Sequence, residues 1–392
     1  MSTLEVTSHI LGVVTAASLI LWLGIAYRLW AMARSKSTIS EGLQLPVPTD
    51  VSVSIVIPAH NEERVIDRCA TSLRNQTYTN IQIIFVLDRC SDRTLEILQK
   101  HAAEDNRICL IENDHCPDDW AGKCNAARLG AMKATGEWLL FTDADTQFDS
   151  ELVRCAVASA IKREASLLSI LSSLTITKTF ERIVQPIAGT FLVRQYPVDR
   201  INREHRSRPF ANGQFLLFSR ESYESIGGHD AVKDDLLEDI AFARKIHAEG
   251  GKVQVLFADG LLRCSMYPTF EAFKTGWKRI FIEASTRNIN RLRRSAVLVI
   301  VVSNILPAAG VAGIIIGNLV SAPLLWISIA SLVACIWVIC WLYKINNAPI
   351  VFAIFAPIGG LVVAKLFLDA ASILQHRIPI RWGGRDYILE PK

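Results

Sequence analysis

The chain has 392 residues, 51% of them hydrophobic, with 42 Lys plus Arg against 38 Asp plus Glu. A net charge of +4 is too small to imply a nucleic-acid partner, and the apolar excess is gathered at the two ends rather than spread as in a soluble globule. Nine scattered cysteines with no CxxC, Cys109, Cys116 and Cys124 among them, exclude a paired zinc motif and read as free thiols in a reducing compartment.

Taken in chain order, Ile10 to Met32 is the first element and is long enough to span a bilayer with some tilt. It lacks the basic start and small-residue cleavage site of a signal peptide. Only Glu5 precedes it, whereas Arg28, Arg34 and Lys36 follow, which places the N-terminus outside and the next segment in the cytoplasm. Residues 1–36 are therefore read as an anchor and 37–50 as a linker.

From Val51 the texture is that of a soluble α/β domain, taken to extend over 51–263. "VSVSIVIPAHNEE" is a β-branched run that ends at Pro58, as a buried strand does. A helix over Arg64 to Asn75 gathers Val65, Ile66, Cys69 and Leu73 on one face. "NIQIIFVLDRCSDRT" predicts a second strand ending in acids, followed by a helix from Thr94 to Ala103. "RICLIEN" is a third strand, "GKCNAARLGAMKATG" a helix closed by Gly136, and "GEWLLFTDADTQF" a fourth strand. Alternation at this spacing predicts a Rossmann-like, mostly parallel sheet, which binds ligands beyond the carboxyl ends of its strands.

Asp88, Asp92, Asp143 and Asp145 all fall at those ends. In a strand, Asp143 and Asp145 point to one side, repel, and call for a cation between them; alone, they would equally mark a solvated turn. An oxygen-only set of this kind suits Mg²⁺ or Mn²⁺, whose shell a diphosphate would complete. The chain has no GxGxxG after the first strand and no GxxxxGK[ST], which disfavours dinucleotide and P-loop readings. Further on, a helix over 232–249 is predicted to turn Leu236, Ile240, Ala243 and Ile246 inward. Asp234, Asp235, Glu238 and Asp239 crowd its first turns, where the macrodipole favours acids whatever else they do. The stretch Phe191 to Phe215 carries Arg200, Arg203, Arg206 and Arg208, which suit anionic head groups or simply a solvated loop. It has no aromatic stacking motif for RNA.

Residues 264–295 read as an interfacial amphipathic segment ending in a basic collar, Arg287, Arg291, Arg293 and Arg294. Two spans follow, Ala296 to Gly317 and Pro323 to Tyr343, within a membrane region over 296–375. Pro349 to Leu374 contains Pro357, Gly359, Gly360, Lys365 and Asp369. It is expected to form a broken, re-entrant or interfacial helix pair, returning the tail 376–392 with Arg377, Arg381 and Arg385 to the cytoplasm.

The stretches "SIVIPAHNEE", "VLDRCSDRT", "GKCNAARLGAMKATGEWLLFTDADT" and "SIGGHDAVKDDLLEDIAFARKIHAEGGKV" come in an order that resembles family-2 inverting glycosyltransferases of the A-type fold, from about Val51 to Arg263. The C-terminal spans and the tail "IRWGGRDY" are similar to the membrane-bound branch that glycosylates lipids, including hopanoid-associated, carotenoid and ceramide-type enzymes. The resemblance implies that Pro58, Ala59, Asn61 and Glu62 line the nucleotide pocket, that Asp88 meets the uracil or guanine edge, and that Asp92 helps close the pocket. It places Gly122 and Lys123 beside the donor phosphates, with Glu238 on the donor side as well. Asp143 and Asp145 become a DxD pair for Mg²⁺ or Mn²⁺, Asp145 the more direct ligand, and Asp239 the catalytic base. A UDP-sugar donor, a lipid acceptor and a multi-pass cell-membrane protein with its catalytic domain facing the cytoplasm are implied in turn. Asn212 and Gly213 are expected near the sugar.

One departure matters. Processive synthases carry Q/RxxRW, whereas "FKTGWKRIFIEAS" has Trp277, Lys278 and Arg279 in inverted order and no upstream Gln. Trp277 and Arg279 thus keep two readings: stacking on the acceptor and steadying the diphosphate, or the wet edge of an interfacial helix. A polysaccharide or polyprenyl-phosphate sugar transferase is the alternative enzyme, and an inactive membrane scaffold with this fold the alternative of another class.

Overall fold

The computed structural model describes residues 3–46, 50–196, 201–202, 209–235, 237–382 and 385–391. The strands of its first half are β1 (Val53–Ala59), β2 (Ile81–Asp88), β3 (Ile108–Asn113), β4 (Trp138–Phe141), β5 (Thr146–Phe148) and β6 (Leu167–Leu171). The rest are β7 (Ser173–Leu174), β8 (Leu216–Ser219), β9 (Val253–Phe257), β10 (Leu262–Cys264), β11 (Ile380–Trp382) and β12 (Arg385–Tyr387). The domain helices are α1 (Thr3–Arg34, ahead of the domain), α2 (Ile66–Arg74), α3 (Thr94–Glu104), α4 (Gly122–Lys133), α5 (Leu152–Lys162), α6 (Thr179–Gln195), α7 (Arg220–Ser225), α8 (Glu238–Ala248) and α9 (Phe270–Ala284). After them come α10 (Ile289–Ile300), α11 (Leu306–Val320), α12 (Ala322–Ile345) and α13 (Ala356–His376).

Seven strands form one sheet in the order β3-β2-β1-β4-β8-β6-β9. All neighbours are parallel except those of β8, which runs antiparallel to β4 and β6. The unbroken apolar runs of β1 and β2 follow from burial on both faces. Ile55, Ile57, Ile83 and Phe85 pack toward α2 and α5, and Val56, Ile84 and Val86 toward α4 and α8. Gly130 is where α4 meets the sheet: a Cβ there would lie 2.3 Å from Val56, so no larger residue allows this approach. Because β8 alone is reversed, its start falls beside the ends of β1, β2 and β4, and Gly213 arrives at the same edge as Asp88 and Asp143.

Two expectations need correction at that edge. Strand β4 stops at Phe141, and Asp143 and Asp145 sit in a turn whose Thr146 N–H and hydroxyl both bond the Asp143 carbonyl, at 3.3 and 2.7 Å. Strand alternation is therefore not what brings the two carboxylates close. The helix expected over 232–249 begins only at Glu238, after a 3-10 turn at Gly228–Val232. Gly227 and Gly228 take positive φ, 80° and 53°. The carbonyls of Lys233 and Asp235 turn instead to Ala121 N–H and the Cys124 thiol. Leu236 lies outside the described residues, as do Arg200, Arg203, Arg206 and Arg208.

Among the described residues, four helices are long and apolar enough to cross a membrane: Thr3–Arg34, Ile289–Val320, Ala322–Ile345 and Ile350–His376. The second runs through α10, a π-helical turn at Val301–Ile305 and α11 without a break. The expected helix pair over Pro349 to Leu374 is instead a short 3-10 turn, Ile350–Phe355, leading into one continuous helix, α13. Pro357 does not break it, because it sits in the first turn, where its missing N–H costs nothing. Helix α13 packs on α6 and α9, with Phe367 stacked on Phe281 at 3.9 Å between ring centroids. All nine cysteines are free.

Candidate active site

Lys123 organises the edge of the sheet. The first turn of α4 carries it, and its Nζ lies 2.6 Å from Asp143 Oδ1 and 2.7 Å from Glu238 Oε1. Burial opposes its charge, but Asp143 and Glu238 outweigh that and hold the ammonium above the ordinary lysine range. One cation thus ties the DxD turn to the first turn of α8. Glu238 is buried; burial works against its ionisation, yet Lys123 keeps its carboxyl below the usual value.

Asp239, the next residue, is held from two sides. Gly213 N–H donates to its Oδ2 at 2.8 Å, and Ile240 N–H to its Oδ1 at 2.7 Å. A Cβ on Gly213 would sit 3.2 Å from Lys123 Nζ and 3.3 Å from Asp239 Oδ2, so the bare backbone is what lets these groups close up. Burial, then the Glu238 charge, pushes the Asp239 carboxyl up to about 7, against the pull of Lys123. The "GGHD" approach also places His229 in a box of Phe141, Tyr223 and Phe242, where its Nδ1 meets the Tyr223 hydroxyl at 2.7 Å. Burial drops that imidazole to about 3, which keeps it neutral and excludes it as a base.

Asp145 takes a different neighbour from Asp143: its Oδ1 accepts from the Cys264 thiol at 3.3 Å. Burial, then the Asp143 charge, raises it to about 6. Across from it Glu62 is pushed up to about 8 by burial, then by Asp145, Asp143 and Asp92. Burial is the main cause of both shifts, and the neighbouring carboxylates add to it. Among the described residues no three His, Cys, Asp or Glu side chains stand close enough to cage a metal by themselves. That arrangement fits an ion that takes one or two carboxylates and completes its shell from phosphate and water.

The loops that follow β1 and β2 are laced together. Asn61, at φ 56°, accepts Ser91 N–H at 2.8 Å and Asp92 N–H at 3.3 Å. Asp92 accepts Thr94 N–H and hydroxyl, at 3.0 and 2.6 Å, and Glu63 N–H at 3.0 Å. Its carboxyl is committed to shaping the loop. Pro58 and Ala59 close β1, past the last β4 partner, so the missing proline N–H is not needed there. Asp88 ends β2 at 3% exposure; Arg89 Nη2 donates to its Oδ2 at 2.6 Å and Asn113 to its Oδ1 at 2.8 Å. Asp88, Arg89 and Asn113 therefore form one polar surface, with Gly122 against it: a Cβ on Gly122 would lie 2.8 Å from Arg89.

The two residues of the inverted motif separate. Trp277 is 3% exposed and packs between Phe273 and Phe281, inside the core shared by α9 and α13. Neither of its expected settings, acceptor stacking or a wet helix edge, describes it. Arg279 turns the other way, close enough to Glu238 to help lower its pKa. Sequence reasoning missed Arg89 and Asn113 as partners of Asp88, Cys264 as the partner of Asp145, and the whole of β12. "DRC" does place a cation beside Asp88, but Cys264 meets Asp145 only through the β5–β10 pairing of Thr146 with Cys264.

Residues 54–227 match the family described as glycosyl transferase family 2. That stretch is therefore similar to a family 2 glycosyl transferase domain. The chain's mostly parallel sheet is that of the A-type fold. Similar proteins include the 4,4'-diaponeurosporenoate glycosyltransferases of Staphylococcus haemolyticus strain JCSC1435, 24% identical over 61% of this chain and 63% of that protein, and of Staphylococcus aureus strain bovine RF122 / ET3-1, 26% identical over 58% and 60%. The match thus spans less than two thirds of either relative. Among solved structures, a mannosyltransferase from Pyrobaculum calidifontis in complex with GDP-Man and Mn2+ covers 93% of this chain and 98% of its own, at 17% identity and a TM-score of 0.49.

Proposed function

We propose that the protein is an inverting glycosyltransferase that moves a sugar from a nucleotide-diphosphate sugar, with UDP as the first donor nucleotide to try, to a hydroxyl or carboxyl of a membrane lipid. One observation carries this reading: Lys123 bridges the DxD turn to the α8 acids, so the donor-side charges and the base candidate share one volume. In a single displacement the acceptor oxygen attacks the anomeric carbon while the nucleotide diphosphate leaves from the opposite face. Asp239 takes the acceptor proton, since its raised pKa matches a base working near neutrality. Lys123 turns toward the leaving diphosphate as its charge grows, and Arg279 adds to that field. Asp145, with Asp143, would hold Mg²⁺ or Mn²⁺, which supplies further neutralisation of the leaving diphosphate. Asp88 with Arg89 and Asn113 is assigned to the base edge, and Gly122 to the phosphates. The similarity to carotenoid-acid glycosyltransferases and the apolar helices around a single domain support a lipid acceptor.

The test is a titration of UDP against the purified chain with and without Mn²⁺. Saturable, metal-dependent binding is expected; the absence of any nucleotide affinity would favour the scaffold alternative.

The same proposal includes a path through the membrane. Gly310, Gly313 and Gly317 of α11 face Leu332, Ser328 and Leu325 of α12, so α12 runs back toward the domain. There the Tyr343 hydroxyl donates to the Ile183 carbonyl of α6 at 3.0 Å. Helix α13 also ends beside the start of α10, where Arg293 donates to Gln375 at 2.5 Å. A chain already back at the domain cannot cross once more and end on the same side. The crossings are therefore assigned to α1, α10–α11 and α12, with α13 lying in the near leaflet. A reporter fused after Lys392 is expected on the same side as the catalytic domain, which the basic flank of α1 makes the cytoplasm. A reporter found on the opposite side overturns this path.

A further inference from the structure

We infer that the C-terminal hairpin β11–β12 is part of the donor site, with Arg385 as a positioning residue and Tyr387 as a wall of the nucleotide pocket. The inference rests on the glycosyltransferase reading above. The Arg385 guanidinium gathers the turn before α4: Nη1 donates to the carbonyls of Pro117 at 2.8 Å and Trp120 at 2.9 Å, and Nη2 to Asp118 Oδ1 at 2.9 Å and the Cys116 carbonyl at 3.3 Å. A planar fork of five donors can serve several acceptors at once, whereas an ammonium cannot hold the same geometry. The turn gathered this way delivers Gly122 and Lys123.

Three other contacts show where it leads. Ala121 N–H donates to the Lys233 carbonyl at 2.6 Å and Lys233 pairs with Asp119 at 2.6 Å, so the turn also sets the approach to α8. The Tyr387 hydroxyl accepts Gly122 N–H at 3.3 Å, while the Gly122 Cα faces Arg89 and Asp88. Residues 116–122 thus lie between a tail that follows the last apolar helix and the polar surface assigned to the donor. Releasing Arg385 frees three carbonyls and lets Lys123 drift from the diphosphate position. The chemistry of the step is unchanged by this; what suffers is how often the donor is held in register.

The experiment compares Arg385→Gln, Arg385→Lys and Tyr387→Phe with wild type in the full-length, detergent-solubilised chain. UDP affinity is measured in Mn²⁺, alongside kcat, KM for donor and acceptor, and melting temperature. Arg385→Gln is expected to weaken UDP and raise donor KM about tenfold, the effect of roughly one good hydrogen-bonded contact. Acceptor KM and kcat at saturating donor should stay within about threefold. Arg385→Lys should recover little of the loss, and Tyr387→Phe, which removes only a hydroxyl, should weaken UDP about threefold without lowering the melting temperature. Unchanged UDP affinity in Arg385→Gln and Tyr387→Phe overturns the inference while leaving the wild-type activity intact. Equal losses of donor binding, acceptor binding and melting temperature, or full rescue by Lys, overturn it too, because they mark general folding support or plain charge. A wild type with no UDP affinity sinks the function itself, a different result.

Discussion

Asp239→Asn is expected to cut transfer by about 10²–10⁴-fold, the usual worth of a positioned general base, while UDP affinity stays within about twofold of wild type. The substitution keeps one oxygen to accept either the Gly213 or the Ile240 N–H, so the first turn of α8 keeps one of its two anchors. What is lost is the group able to take a proton. The pH profile gives an independent reading. Burial and the Glu238 charge push Asp239 up to about 7, and only its ionised form can act as base. In wild type with saturating metal and donor, kcat/KM for the acceptor should rise with pH through neutrality and then level. Glu238→Gln removes the repulsion that raises Asp239, so the rising limb should move to lower pH. A limb that stays in place, or an Asp239→Asn enzyme that transfers normally, would falsify the base assignment.

Lys123→Met is expected to have the largest effect on stability. Glu238 has 6% side-chain exposure and Lys123 is its ion-pair partner at 2.7 Å. Removing one member of a buried pair leaves an uncompensated charge and costs about 3–5 kcal/mol. Asp143 is half-exposed and can turn to water, so most of the cost falls on Glu238. A lowered melting temperature and loss of UDP binding are expected together. The double variant Lys123→Met with Glu238→Gln removes the stranded charge and should recover much of the melting temperature but not the UDP affinity. Recovery of both would leave Lys123 with a purely structural role.

Much of this arrangement was legible in the chain. The strand–helix alternation from Val53 to Phe141 follows from buried apolar runs and their polar punctuation, and these placed Asp88, Asp92, Asp143 and Asp145 at one edge. Legibility failed where contacts are long-range or where backbone groups decide. The DxD turn looked like strand because Leu139, Leu140 and Phe141 run into it, but the Thr146 hydroxyl bond to Asp143 is invisible to periodicity. Helix α8 looked longer because acids suit any first turn, while the carbonyls of Lys233 and Asp235 turn instead to the start of α4. Trp277 was open to two readings, stacking on the acceptor or the wet edge of an interfacial helix, but its ring is enclosed by Phe273 and Phe281 once α13 packs alongside. The partners of Lys123 were not legible either: the resemblance put it beside the donor phosphates, and only the packing of α4 against α8 shows its ammonium lying between Asp143 and Glu238.

The most direct measurement is a structure of the full-length protein with UDP and Mn²⁺, located by the anomalous signal of the metal. The ion should lie within roughly 2–2.5 Å of an Asp145 oxygen and touch the diphosphate, with Lys123 on the same diphosphate and Asp239 facing the open side of that cavity. Nucleotide and metal bound in a cavity that contains neither Asp145 nor Lys123, with Asp239 facing elsewhere, would contradict the shared site on which every assignment above depends.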